Sequence, residues 1–149
     1  MQSRCCKALI VIAAMFAGVA GAAESAGIVK SVRGVAHVHR GTTVTPLAVG
    51  LTIVPNDRVV TQADAIVGIT LKDDTLLALG PNSNVTLENF AFNPTTHDGN
   101  LGVKIVSGTL RMITGLIARQ APANVKVVTP NAAIGVRGTD FIVEVPGHG

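Results

Sequence analysis

Aromatic residues and cysteines are scarce in this sequence. It contains no tryptophan, no tyrosine, four phenylalanines, and two cysteines, Cys5 and Cys6. Both cysteines precede an apolar run near the start, so the rest of the chain has neither a disulfide nor a cysteine nucleophile. The shortage of aromatic rings also removes the stacking surfaces that are common in sugar-binding sites.

Motifs of well-known enzyme classes are missing as well. The chain has no G-x-S-x-G, no H-E-x-x-H and no G-x-x-x-x-G-K, which argues against hydrolase, zinc-protease and P-loop chemistry. Ser83, His97 and Asp98 are the residue types of a catalytic triad, but their spacing alone does not bring them together, and turn stabilisation is the favoured role. We therefore expect a protein that is not an enzyme and needs no cofactor.

The first residues have the layout of a secretory signal peptide. Arg4 and Lys7 precede an apolar run over residues 8–20, and small residues follow it. We expect cleavage after Ala22 or Ala23, which leaves one domain over residues 23–149 in the periplasm or outside the cell, with membrane contact during export alone. An uncleaved anchor is the alternative, although the run is shorter than the roughly 20 residues that span a bilayer.

The charge of the mature chain gives no support to a nucleic-acid partner. Arg4 and Lys7 account for two of the 12 lysines and arginines, which leaves ten against nine aspartates and glutamates, a net charge of +1. No cluster of basic residues accompanies an aromatic platform, as nucleic-acid binding would require.

Short alternating segments separated by turn residues favour an all-β fold in a sandwich, barrel or solenoid-like stack, without a helix longer than about two turns. We expect residues 28–32 and 35–40 to form a hairpin across Arg33-Gly34, and residues 58–61 to pair with residues 65–72. Asp73-Asp74 is predicted to turn the chain, and Asn84–Phe92 to form a strand. For residues 115–124 a loop is favoured over a helical turn because of Pro122.

The stretch Val125–Val145 reads as strand, turn, strand. Val125 and Val127 share one strand face, and Phe141 lies on one face with Val143 and Val145. The residues between these strands are a predicted structural motif, with fixed or left-handed turn positions and glycines where a Cβ does not fit: Thr129, Pro130, Gly135, Arg137, Gly138, Thr139, Asp140 and Phe141. Arg137 is expected to bind neighbouring carbonyls or Asp140; a ligand-facing arginine is the alternative.

His37 and His39 are the metal candidates of the sequence, because residues two apart on a strand place both imidazoles on one face. No third ligand accompanies them, so a solvated outer face is the favoured interpretation. Aspartates in turns lack the 12-residue spacing of a calcium loop, and turn capping is expected for each of them: Asp57, Asp64, Asp73 and Asp74.

Several of these segments resemble a known family in order. TPNAAIGVRGTDFIVEV resembles the end of the FecR-type domain, with its TP, small apolar run, VRGT, acidic residue and F. Three earlier segments of the chain are similar to the earlier parts of the same domain: GIVKSVRGVAHVHR, the segment that contains NDRVVT and PNS, and VKIVSGTLRMITG. The resemblance extends over Gly27–Val145. It departs from the family at Asp74 and at Asn56, where that pattern usually has glycine.

The resemblance implies an all-β domain, often described as stacked short strands, that senses signals or binds proteins outside the cytoplasm. In the best-known members it belongs to a membrane-spanning regulator that relays the state of an outer-membrane receptor to a cytoplasmic sigma factor. Because few residues precede the apolar run and the sequence stops at Gly149, we expect a periplasmic or envelope protein as partner, without direct sigma-factor contact. A small-ligand or metal sensor that uses His37, His39 and the loop of residues 93–100 is the alternative.

Overall fold

The structure is a computed structural model that describes residues 24–136 and 140–147. The signal-peptide segment therefore lies outside the described residues. Within them are one short helix, α1 (Leu116–Gln120), and a 3₁₀ turn (Pro122–Asn124). The strands are β1 (Gly27–Arg33), β2 (Ala36–Arg40), β3 (Thr43–Pro46), β4 (Thr52–Ile53), β5 (Arg58–Thr61), β6 (Ile66–Leu71), β7 (Leu76–Leu79), β8 (Asn84–Phe92), β9 (Gly99–Ile113), β10 (Val125–Val128), β11 (Ala133–Gly135) and β12 (Asp140–Val145).

These strands form one sheet that curls into a half-barrel, which confirms the predicted all-β fold. The sheet has two halves, which we name after one strand in each. In the β12 half the strand order is β4-β1-β6-β7-β9-β12, and in the β10 half it is β3-β2-β5-β8-β9-β10-β11. Strand β9 belongs to both halves, because its residues up to Ser107 pair with β8 and those from Gly108 onward pair with β12. The arrangement is thus a curled sheet rather than a stack of repeats.

The inner faces of the two halves surround one hydrophobic core. Val29, Ile69 and Leu79 contribute from the β12 half, and Val85 and Val103 from the β10 half, all of them buried. A gap of about 10 Å³ remains between the halves, which is about the least that a single water needs. This space between the described inner faces is too small for a bound ligand.

Both predicted hairpins in the first half of the chain are wrong. β1 pairs with β4 and β6, while β2 pairs with β3 and β5; β5 pairs with β2 and β8, while β6 pairs with β1 and β7. Each short connection carries the chain from one half of the sheet to the other. Gly34 and Asp64 make these crossings at φ values of 77° and 65°, so they behave as turns without closing a hairpin.

Other local predictions are confirmed. Asp73 and Asp74 join β6 to β7 in an antiparallel hairpin, and β8 spans Asn84–Phe92. The predicted loop after β9 instead contains α1, whose first turn has no side-chain cap. The backbone carbonyl of Asp73 accepts a hydrogen bond from Leu116 N at 2.7 Å, and the side-chain carboxylate of Asp73 accepts one from Ile117 N at 3.4 Å. These tertiary bonds satisfy amides that would otherwise lack partners.

The buried hydroxyl groups of Thr61 and Ser83 form hydrogen bonds that connect the two halves of the sheet. Thr61 Oγ1 donates to the carbonyl of Gly80 at 2.7 Å and accepts from Ser83 N at 2.8 Å. Ser83 Oγ donates to the carbonyl of Thr109 at 3.1 Å and accepts from its N–H at 3.0 Å. Because Thr61 and Ser83 are buried, these bonds also meet the polar groups that burial would leave unpaired.

Candidate functional site

The predicted C-terminal motif begins with a hydrogen-bonded turn between β10 and β11. Thr129 Oγ1 donates to the carbonyl of Ala132 at 3.1 Å and accepts from Ala132 N at 3.0 Å. Thr129 N donates to the same carbonyl at 2.8 Å. Pro130 lies exposed at the tip, as expected for a residue that fixes φ in a turn.

The glycine of this motif at position 135 has more space than the sequence predicts. Among the described residues, no atom lies within 4 Å of a Cβ built at Gly135, and the φ of Gly135 is not in the left-handed region. The expectation that a Cβ does not fit there is wrong, since the short strand β11 leaves this position exposed. Arg137, Gly138 and Thr139 lie outside the described residues, so their expected roles stay predictions.

Asp140 is the first residue of β12 and forms a bidentate ion pair with Arg111. Arg111 Nε lies 3.1 Å from Asp140 Oδ1, and Arg111 Nη2 lies 2.7 Å from Oδ2. These hydrogen bonds lower the pKa of Asp140 below its usual value and raise the pKa of Arg111. The side chains are 52% and 44% exposed, so the pair faces solvent on the outside of β9 and β12.

The remaining residues of β12 alternate between core and solvent. Phe141 is half-buried against the core, and Val143 and Val145 are buried, which confirms their predicted shared face. On the other face Ile142 is 65% exposed, and Glu144 is exposed too. Ile142 is one of several exposed large hydrophobic residues of the domain, and it lies between Asp140 and Glu144 on the same face of the strand.

β12 is also the longest edge of the described sheet. The other edge strands are β3, which ends in Pro46, and the two- and three-residue strands β4 and β11. Short edge strands and proline are means by which proteins prevent further strands from pairing. β12 has six residues and no proline, and among the described strands β9 alone pairs with it.

A shallow groove lies beside this edge on the solvent side of the β12 half. Gly68 and Ala78 lie opposite each other on β6 and β7, with Arg111 of β9 next to Ala78, so the two small residues form the floor of the groove. The groove holds about 220 Å³, less than the roughly 300–1,000 Å³ of small-molecule pockets. Its lining suits a protein surface better than an enclosed ligand: Lys30, Gly68, Thr70, Leu76, Ala78, Arg111 and Ile113.

A second, more polar cleft lies on the β10 half. It holds about 490 Å³, within the range of ligand pockets. Exposed side chains with amide and charged groups line it: Glu88, Asn89, Asn100, Asn124 and Lys126. Asn124 Nδ2 donates to the carbonyl of Gly99 at 2.9 Å, so one of the amides already has a partner within the chain.

The two metal candidates lie on β2, where they face different neighbours. His37 is opposite Pro46 and Val60, and His39 is opposite Val44 and Arg58. His39 Nδ1 lies 3.2 Å from Arg58 Nη2, and an arginine beside an imidazole opposes the approach of a cation. Among the described residues, no group of three or more histidine, cysteine, aspartate or glutamate side chains could hold a metal ion.

The residues that resembled a triad have separate structural roles. Ser83 is buried at the start of β8 and bonds to Thr109, as described above. His97 lies in the loop after β8, where its ring stacks on Phe92 with centroids 6.2 Å apart. Along a nine-residue strand at roughly 3.3 Å per residue, the two ends of β8 are too far apart for proton transfer.

Two of the aspartates that the sequence predicts in turns, Asp57 and Asp73, are buried. Their hydrogen-bond partners were not evident from the sequence. Asp57 Oδ2 accepts from Val54 N at 2.9 Å, and its carboxylate binds Arg40 through two bonds of 2.8 and 2.7 Å. Asp73 accepts from Thr75 Oγ1 at 2.7 Å, and Thr75 Oγ1 accepts from Gly115 N at 3.1 Å. The predicted turn-capping roles of Asp57 and Asp73 are confirmed.

Comparison with known proteins identifies one family. A family model described as FecR protein matches residues 57–149, from β5 to the end of the chain. No curated protein and no solved structure matches the chain. Among the described residues, no helix is long and apolar enough to cross a membrane.

Proposed function

Since the chain belongs to the FecR protein family, we propose that it is an exported, non-enzymatic module that senses or relays signals in the cell envelope by binding another protein. Membership of this family is consistent with signalling or sensing and with association with the envelope. The observation that carries the proposal is the family match. The packed interior and the open β12 edge support it, because they offer an exterior surface for binding.

Export is the first part of the proposal. The charged start, the apolar run and the small residues that follow it support cleavage after Ala22 or Ala23. Intact-mass measurement on protein purified from the cell envelope tests this step. A chain that still carries Met1 contradicts it.

Protein binding is the second part, and cross-linking in the envelope tests it. The full chain is expressed with a C-terminal tag, treated with a lysine-reactive cross-linker, and purified under denaturing conditions. We expect one dominant covalent adduct that disappears when excess untagged protein competes. Adducts that do not saturate, or that form equally with an unrelated exported domain, contradict the proposal.

The polar cleft favours a second candidate function, the sensing of a small polar ligand. Asn89, Asn100 and Lys126 present hydrogen-bonding groups around a volume large enough for such a molecule. Thermal unfolding with and without a library of envelope metabolites tests this function, because a ligand that binds the native state alone raises the melting temperature. Any stabilising ligand must lose its effect in Asn89→Ala, with Asn93→Ala as the control outside the cleft.

A further inference from the structure

We propose that the free edge of β12 accepts an extended segment of a partner protein as an additional strand, and that the charges of β12 select a basic segment. This inference rests on the proposed protein-binding function and assigns it a place and a chemistry. Strand addition uses unpaired main-chain groups for affinity and the alternating side chains for specificity. Among the described edges, β12 alone combines six residues with the absence of proline.

The solvent face of β12 specifies the outward residues of such a segment. Asp140, Ile142 and Glu144 alternate along this face and are all exposed. Opposite charges directly across two strands are favourable, and like charges are unfavourable. An incoming strand therefore fits best with an apolar residue beside Ile142 and a lysine or arginine beside Glu144, which has no ion pair among the described residues.

The core face of β12 determines which residues of an added strand can point toward the core. Phe141 is half-buried on this side, so part of its ring is still available to an added apolar side chain. Val143 and Val145 continue the same face toward the end of the strand. The matching segment thus alternates apolar residues inward with basic and apolar residues outward.

The same charges argue against a second copy of this chain as the occupant. An antiparallel pair of β12 strands related by a two-fold axis at Ile142 places Asp140 of one copy opposite Glu144 of the other. Two such carboxylate contacts arise from one symmetric pairing, and both are repulsive. A partner with basic residues at these positions replaces both repulsions with attractions.

Binding of two synthetic peptides to the purified protein tests the proposal by fluorescence anisotropy. One peptide has the core Lys-Val-Ile-Val-Lys and the other has Glu-Val-Ile-Val-Glu; both cores read the same in either direction, so the orientation of the added strand does not matter. We expect the lysine peptide to bind severalfold more tightly, since the charge pair with Glu144 changes sign; Asp140 contributes less because Arg111 already binds its carboxylate. Methylation of alternate backbone nitrogens of the peptide should abolish binding.

A charge reversal on the protein supplies the matched control. Glu144→Lys should shift the preference toward the glutamate peptide, whereas Asp98→Lys, a charge reversal at an exposed position in the loop after β8, should leave it unaltered. Circular dichroism and melting temperature confirm that both variants fold. Equal affinity for the two peptides, an unchanged preference in Glu144→Lys, or full binding of the methylated peptide overturns the proposal.

Two further outcomes separate this inference from the proposed function. If the envelope adduct forms equally well in wild type, Glu144→Lys and Ile142→Thr, protein binding stands and the β12 edge is not its site. If the peptides show the expected preference but no envelope adduct forms, the edge is a strand acceptor and the proposed function fails. A dimer in sedimentation that Ile142→Thr dissociates identifies a second copy as the occupant and overturns the inference.

Discussion

The carboxylate of Asp57 is completely buried, whereas Arg40, the arginine that binds it through two hydrogen bonds, is half exposed. Arg40 Nη2 also donates to the carbonyl of Thr52 at 3.0 Å. The pair therefore ties the end of β2 to β4 and to the turn that begins β5. Asp57 brings together segments that belong to both halves of the sheet.

Loss of this carboxylate should destabilise the domain. Asp57→Ala leaves the N–H of Val54 and the guanidinium of Arg40 without their acceptor, which should lower the free energy of unfolding by about 2–4 kcal/mol. Urea denaturation measures the change. Asp98→Ala, in an exposed loop, is the control and should stay within about 0.5 kcal/mol of wild type; similar stabilities for the two variants contradict the expectation.

Two turn residues should be improved by glycine. Asn56 and Asp74 have φ values of 71° and 67°, and both stand where the FecR-type pattern usually has glycine. Asn56→Gly and Asp74→Gly should each raise the free energy of unfolding by about 0.5–1 kcal/mol, because glycine adopts this conformation without Cβ strain. Asn100→Gly, on an exposed strand position, should instead lower it. A loss of stability in both turn variants argues against this explanation.

The glycine at the centre of β9 should tolerate no side chain. Gly108 has a φ of 91°, and a Cβ there collides with the backbone and hydroxyl of Ser83. Gly108→Ala should destabilise the domain by about 2 kcal/mol or more, from backbone strain and displacement of Ser83. Gly135→Ala, which has open space, is the paired control for thermal unfolding. The prediction is wrong if both alanines have the same melting temperature.

The pair between Arg111 and Asp140 should be visible in a pH titration. Arg111 lowers the pKa of Asp140 below its usual value of 3.8, mainly by hydrogen bonding to the charged carboxylate. The stabilising contribution of the pair is therefore complete above the unfolded-state pKa and is lost as the pH falls through the folded-state pKa. Carboxyl ¹³C chemical shifts report this titration directly. Arg111→Gln should return the pKa of Asp140 toward 3.8, whereas Lys104→Gln should not move it.

The sequence predicts most strands well, because local alternation depends on neighbouring residues alone. The burial of Val125 and Val127 and the bounds of β8 follow directly from it. Strand pairing is harder. Arg33-Gly34 and the turn at Asp64 have the composition of hairpin turns, yet each passes the chain to the opposite half of the sheet. Turn residues encode a change of direction without specifying which neighbour the next strand will meet.

The candidate site was predictable only in part, for a similar reason. Asp140 was identified from the motif, but its partner Arg111 lies 29 residues upstream, and no local pattern connects the two. The exposure of Ile142 follows from alternation once Phe141 and Val143 face the core. That β12 has β9 as its only neighbour among the described strands depends on the order of all these strands, which no single segment contains.

Strand β9 has a consequence for how the domain opens. A solenoid can lose its terminal repeats one at a time, since each repeat contacts its neighbours alone. Strand β9 pairs with β7, β8, β10 and β12, so its loss separates β12 from β7 in one half of the sheet and β10 from β8 in the other. Unfolding should therefore be cooperative, and the β9 amides should exchange with deuterium only when the whole domain opens.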